Sequence, residues 1–192
     1  MKRLELDITH DAVAIVEFST MPAGFIATDA ATKASEIALL FSGTAHPGKF
    51  LLAFEGGVSE TELALQAAKQ AGRTALIDSV HLPFPHPHLR ARQTPTLDTP
   101  ELALLAVETL TVPSLLGALD QTLKSTLVTL RLMQLADHLG GKSLAVLEGD
   151  LPDIESAYGY LNAGISSLLL SDLQLIRRPT RQFTESFLNS LR

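Results

Sequence analysis

Apolar residues in this chain come in short runs, some continuous as in buried strands and some spaced at the three-to-four-residue rhythm of helices. "AVAIVEFS" (Ala12 to Ser19) reads as a buried strand, and Pro22 then falls at or near a first helical turn, where its missing N–H costs nothing. "SEIALLFSG" and "KFLLAFEGG" are apolar runs on either side of a loop containing His46, Pro47 and Gly48, and they read as a strand pair. In "SETELALQAAKQAG", Ser59 and Glu62 stand at capping-box spacing, Leu63, Ala67 and Ala71 share one helix face, and Gly72 marks a stop. "ALIDSVHL" reads as a closing strand. The order β-α-β-β-α-β predicts a ferredoxin-like α+β unit, a mostly antiparallel four-stranded sheet with its helices on one face.

The pattern then starts again. "AIVEFSTMPAGFIATDAATKAS" (Ala14 to Ser35) lies over "LAVETLTVPSLLGALDQTLKST" (Leu105 to Thr126) without a gap. Glu17 falls on Glu108, Pro22 on Pro113, Asp29 on Asp120 and Lys33 on Lys124, each at a separation of 91. "GKFLLAFEGGV" matches "GKSLAVLEGDL" at a separation of 93, so the second copy carries a slightly longer loop. The copies close with "DSVHLPFPHP" and "DLQLIRRPTR". The Pro- and Thr-rich "RQTPTLDTP" is the natural linker, which divides the chain into residues 1–95 and 96–192.

Composition narrows the classes. The 192 residues are 46% hydrophobic, enough for a real core, and the net charge of −6 with dispersed Lys and Arg argues against a nucleic-acid partner. Apolar runs such as "LALL" and "SLLL" are far short of the roughly 18 residues a membrane span needs. "MKRLELDITHD" alternates apolar and polar residues and does not read as a secretory leader, so a cytoplasmic location is expected. With no cysteine there is no thiol nucleophile and no cysteine-bound iron–sulfur or structural zinc site. Lys49 and Lys142 each follow a Gly, as in a phosphate loop, but neither copy has the full Gly-x-x-x-x-Gly-Lys-Ser/Thr pattern. His81, His86 and His88 in "HLPFPHPH" match no recognised zinc spacing, and the segment is expected to be a surface loop held stiff by its prolines. Glu17 and Glu108, equivalent by repeat, are expected to be structural.

Taken together, these segments resemble the bacterial microcompartment shell family, specifically its tandem, trimer-forming proteins similar to the single-layer propanediol-utilisation trimer. The likeness rests on "AIVEF" and "LAVET" for the opening strand and on "ATDAATKAS" and "ALDQTLKST" for the Asp-Ala-x-x-Lys helix. "PGKF" and "GGKS" match the pore-side turn, and "HLPFPHP" and "LIRRPT" the closing segment. It covers the chain from about Ala12 to Thr180.

The resemblance implies two tandem domains of the family type and a homotrimer that imitates a hexamer. Such trimers tile with other shell proteins around encapsulated enzymes, and they are not themselves enzymes. It implies a pore lined by His46, Pro47 and Gly48 and, from the second copy, Asp137, His138, Leu139 and Gly140, serving small-metabolite passage. It implies plate-edge contacts through Lys33, Lys124 and Arg178, with Phe84 at the Arg place of the first copy, so that adjoining edges are unequal. Some members of the family hold an iron–sulfur cluster through a cysteine just before this Pro-Gly. His46 stands there instead, and three imidazoles converging on an axis suit a transition metal such as Zn, Cu, Fe or Ni. An alternative from another class is a duplicated ferredoxin-like cytoplasmic sensor that binds a small ligand between its domains.

Overall fold

The computed structural model describes residues 6–90, 102–136 and 139–190. The first copy runs β1 (Ala12–Phe18), α1 (Met21–Ala34), β2 (Ala38–Ala45), β3 (Lys49–Gly56), α2 (Val58–Ala71) and β4 (Leu76–Pro83), and a short α3 (Pro87–Arg90) follows. The second runs β5 (Ala103–Thr109), α4 (Val112–Ser125), β6 (Thr129–Leu135), β7 (Ser143–Gly149), α5 (Leu151–Gly164) and β8 (Leu170–Ile176), with α6 (Arg181–Ser190) after it. Each copy forms one antiparallel sheet, ordered β2-β3-β1-β4 and β6-β7-β5-β8. This is the tandem α+β architecture expected from the pattern. The segment read as a linker, and with it the boundary at residue 95, lies outside the described residues.

The duplication persists in the irregularities. The β1–β4 register shifts between Glu17 and Phe18, and the β5–β8 register shifts at the matching Glu108 and Thr109. The β2–β3 shift between Leu39 and Phe41 recurs between Leu130 and Leu132. A bulge re-aims the side chains beside it, so its return at the same two places puts equivalent residues in equivalent orientations.

All seven residues of β1 are buried, because both faces of its sheet are covered. On one face Ala14, Val16, Phe18, Phe50, Leu52 and Phe54 pack against Ala27 and Ala31 of α1 and Ala64, Leu65 and Ala68 of α2. Alanines on the helices let them approach the large aromatic side chains of the strands. A Cβ on Gly24 would overlap the Phe50 ring. In the second copy the register puts Ser143 at the place of Phe50, and Leu115 replaces Gly24, so the bulk has moved from strand to helix. The other face of the first sheet is covered by the second copy: α4 packs on β4 and β1, and one apolar cluster joins Val13, Ile15, Leu51 and Leu82 to Leu115, Leu116 and Leu119. Fully burying a leucine contributes about 1.5–3 kcal/mol, so this shared cluster makes the two copies one packed body.

Three local expectations change. The buried stripe of α2 is Thr61, Ala64, Leu65 and Ala68, whereas Leu63 is 60% exposed, so the face of Leu63, Ala67 and Ala71 is the outer one. The helix begins at Val58 with Gly57 as its N-cap, which leaves Ser59 inside the first turn, where it cannot close a capping box with Glu62. Gly72 does end α2, at a φ of −95° that any residue can adopt; what it supplies is room, since a Cβ there would overlap the Phe18 ring. The "HLPFPHPH" segment is not a free loop: β4 extends through His81 to Pro83, Leu89 is buried, and the His86 N–H donates to Asp120 of α4.

Residues before β1 are tied to the first sheet by Glu55. Its carboxylate accepts from the Thr9 and His10 N–H groups at 2.6 and 2.9 Å and from the Thr9 hydroxyl at 2.9 Å. Burial alone would raise its pKa, but the His10 and Thr9 hydrogen bonds outweigh it and hold the carboxyl below its ordinary value of 4.5. A carboxyl with a depressed folded value stabilises the fold above its unfolded value, and that stabilisation is lost as pH falls through the folded value. Glu55→Gln should therefore lower the urea midpoint at neutral pH, and the gap from the wild type should close as pH falls below about 4.5.

Candidate functional site

The two copies meet along a seam centred on Glu17, whose side chain is 0% exposed. Its Oε1 accepts from the Val112 N–H at 2.6 Å, and its Oε2 accepts from Lys49 Nζ at 3.0 Å. Val112 is the first residue of α4, so a carboxylate of the first copy satisfies an orphan donor at a helix start in the second and sits at the positive end of its dipole. Asp78, paired with Glu17 across the β1–β4 ladder, extends the grip: its Oδ2 accepts from the hydroxyls of Thr111 at 2.5 Å and Ser114 at 2.6 Å. Lys49 Nζ reaches the Leu110 carbonyl at 2.6 Å. Burial pushes the Glu17 carboxyl above its ordinary value, against the opposing pull of the Val112 N–H and of Lys49.

The equivalent residues of the second copy lie at an open face. Glu108 is 28% exposed in its side chain; its Oε1 accepts from Lys142 at 2.8 Å and Ser171 at 2.7 Å. These hydrogen bonds hold its carboxyl below the ordinary value, the reverse of Glu17. The same residue type in the same register thus has two environments, one sealed by a helix start and one not.

The turns expected to line a pore stand side by side. His46, Pro47 and Gly48 are exposed and join Ala45 to Lys49, with Gly48 at φ +96°. In the second copy Leu139, Gly140 and Gly141 belong to the matching turn, with both glycines at positive φ. Asp137 and His138 lie outside the described residues. The backbone of Gly141 rests on the His46 carbonyl so closely that a Cβ there would collide with it, and Lys49 lies within 3.5 Å of the Gly141 carbonyl. The two turns therefore occupy one rim of the chain. Among the described residues no group of three or more His, Cys, Asp or Glu side chains is placed to hold a metal.

The residues expected at plate edges lie apart from this rim. Lys33 is exposed and pairs with Asp29 at 2.6 Å; Lys124 pairs with Asp120 at the same distance and lies 3.4 Å from the Pro83 carbonyl. Arg178 is exposed just beyond β8. Phe84, at the Arg place of the first copy, is exposed with φ +49°. Lys124 thus touches the end of the first copy's closing strand, whereas Lys33 has only its helix partner among the described residues. The sequence reading missed Asp78, Thr111 and Ser114 as seam residues. A hydroxyl residue two places before Pro113 is a helix-start signal that could have identified Thr111.

Residues 12–85, the first copy, match the model of the BMC domain. Over 151 residues, 76% of this chain and 80% of the relative, the sequence is 32% identical to the bacterial microcompartment shell protein PduT of Citrobacter freundii. The chain belongs to the bacterial microcompartment shell proteins. Among solved structures, a microcompartment protein from Desulfitobacterium hafniense DCB is similar over 92% of this chain and 99% of its own, at 28% identity and a TM-score of 0.71. The fused permuted hexameric shell protein MSM0275 from the RMM microcompartment shares the fold at a TM-score of 0.61 over 85% and 86% of the two chains, with 14% identity. As a shell protein the chain is a structural component of the microcompartment shell, and the sensor alternative is set aside. No helix among the described residues is long and apolar enough to cross a membrane.

Glu17→Ala removes the acceptor for a buried N–H and strands Lys49 at the seam. Because Lys49 keeps some access to water, the expected loss is about 2–3 kcal/mol, read as a shift in the denaturant midpoint.

Proposed function

We propose that three copies of this shell protein close into a ring of six domains and tile, with other shell proteins, around encapsulated enzymes, separating and gating rather than catalysing. The central pore is lined by His46, Pro47 and Gly48 alternating with Asp137, His138, Leu139 and Gly140, and it passes a small metabolite. The observation that carries this reading is the contact of Gly141 with the His46 carbonyl, because turns of unequal length that touch within one chain can alternate around a closed rim. His46 is the residue that would take a transition metal, with three copies bringing three imidazoles to the axis, because among the described residues of one chain no group of three or more His, Cys, Asp or Glu side chains is placed to hold one. Lys33, Lys124 and Arg178 supply the lateral contacts between plates.

Light scattering on the purified protein should give the mass of three 20.6-kDa chains, and concentrated samples should form sheets or hexagonal arrays by electron microscopy. Lys33→Ala should leave the trimer folded, within about 0.5 kcal/mol of the wild type, while the arrays weaken or vanish, because a lattice multiplies a small loss at every edge. A stable monomer would contradict the ring, and arrays unchanged by Lys33→Ala would contradict the edge.

A further inference from the structure

The two copies are joined at both ends of α4. Glu17 holds its first residue, Val112, and toward its last turn Asp120 and Lys124 meet residues 84–90, the strap that ends the first copy. Asp120 Oδ1 accepts from the His86 N–H at 2.7 Å, while Lys124 pairs with Oδ2 at 2.6 Å and lies 3.4 Å from the Pro83 carbonyl. The same strap holds the segment before β1. The Phe84 N–H donates to the Asp11 carbonyl at 2.6 Å, the Arg90 side chain donates to the His10 carbonyl at 3.0 Å, and the Arg90 carbonyl accepts from the Ile8 N–H at 2.9 Å. Leu89 is buried in the apolar cluster shared by the two copies, which anchors the strap from below.

The strap is closed by an imidazole acting as an acceptor. His86 stands immediately before α3, in the N-cap place, and its Nδ1 accepts from the His88 N–H at 3.3 Å. His88 Nδ1 in turn accepts from the Leu130 N–H near the start of β6, at 3.5 Å. A backbone N–H can only donate, so each Nδ1 must present a lone pair. In the second copy Thr180 and Gln182 occupy the matching places, and the Thr180 hydroxyl accepts from the Phe183 N–H at 3.3 Å at the start of α6. A hydroxyl caps a helix whatever the pH; an imidazole caps it only while neutral.

We infer that residues 84–90 are a pH-sensitive clasp between the two copies, closed while the His86 imidazole is neutral and opened when its Nδ1 takes a proton from solvent. The added proton turns the acceptor into a donor that faces the His88 N–H. The cap of α3 is then lost, and with it the hold of His88 on β6. The charged and titratable groups on the elements packed around the strap are Asp120 and Lys124 of α4, Arg131 of β6, and His10 and Asp11 before β1, with His88 and Arg90 in the strap itself. Burial first, and then His88, hold the His86 imidazole below its ordinary value of 6.5; Asp120 opposes them and Lys124 adds a smaller push in their direction. An imidazole with a depressed folded value stabilises the closed strap above the unfolded value, and that stabilisation is lost as pH falls through the folded one. Acid therefore loosens the far end of α4 by a route that leaves the Glu17 contact at its start in place. The clasp lies within one chain and is independent of the ring.

Amide hydrogen exchange of the full chain, corrected for the intrinsic dependence of exchange on pH, reads the clasp directly. The His88, Leu89 and Leu130 amides should be protected at about pH 7.5 and should lose protection on acidification, roughly tenfold for each pH unit below the folded value of the single imidazole. His86→Thr with His88→Gln, which installs the residues of the second copy, and His86→Asn, a cap that does not titrate, should keep their protection as the pH falls. Nitrogen-15 NMR of the wild type at neutral pH should show the His86 Nδ1 as the unprotonated nitrogen. Protection that does not change with pH in the wild type would overturn the clasp, as would the same fall in the two variants. Protection lost at neutral pH in both variants, or a proton on Nδ1 in the neutral wild type, would overturn the capping role assigned to His86.

Discussion

The structure depends on one carboxylate that leaves its own domain. Glu17 lies at the end of a strand buried on both faces, and it ends on the first N–H of a helix in the other copy. A buried carboxylate without partners would be costly, and a buried helix start leaves donors unpaired. Each solves the other's problem. Lys49 completes the balance of charge while its backbone follows the turn that carries His46, so the seam and the rim are held by the same residue.

Duplication explains why this geometry is specific. The copies keep what aims the seam residues: the register shifts, the Glu-Asp pairing across the central ladder and the Lys after the turn. They differ where packing permits exchange. Phe50 over Gly24 becomes Ser143 with Leu115, and the buried acids Glu55 and Glu148 find different partners, the backbone of Thr9 and His10 in one copy and Arg131 in the other. A domain with one covered and one open seam has a built-in direction.

Much of this was legible in the sequence. The eight strands and the four principal helices follow from periodicity and from the repeat, which doubled the evidence for each element. The rim turn was legible from Pro47 and Gly48. Less was visible where two helical stripes compete: in α2 the spacing of Leu63, Ala67 and Ala71 is as regular as that of Thr61, Ala64, Leu65 and Ala68, and only the sheet decides which is buried. The placement of the half-buried His86 just before the short α3 involves Asp120, 34 residues away, which no local pattern reports. The partner of Glu17 is 95 residues distant, so periodicity could mark the residue as structural without saying what it holds.

The most direct measurement of the central claim is an electron-microscopy map of the assembled protein at side-chain resolution. The account expects six domains around one axis, with Glu17 on the α4 start within every chain and the His46 turns facing inward. A map in which the Glu17 side chain leaves the α4 start, or in which copies join through like surfaces related by a twofold axis, would contradict it.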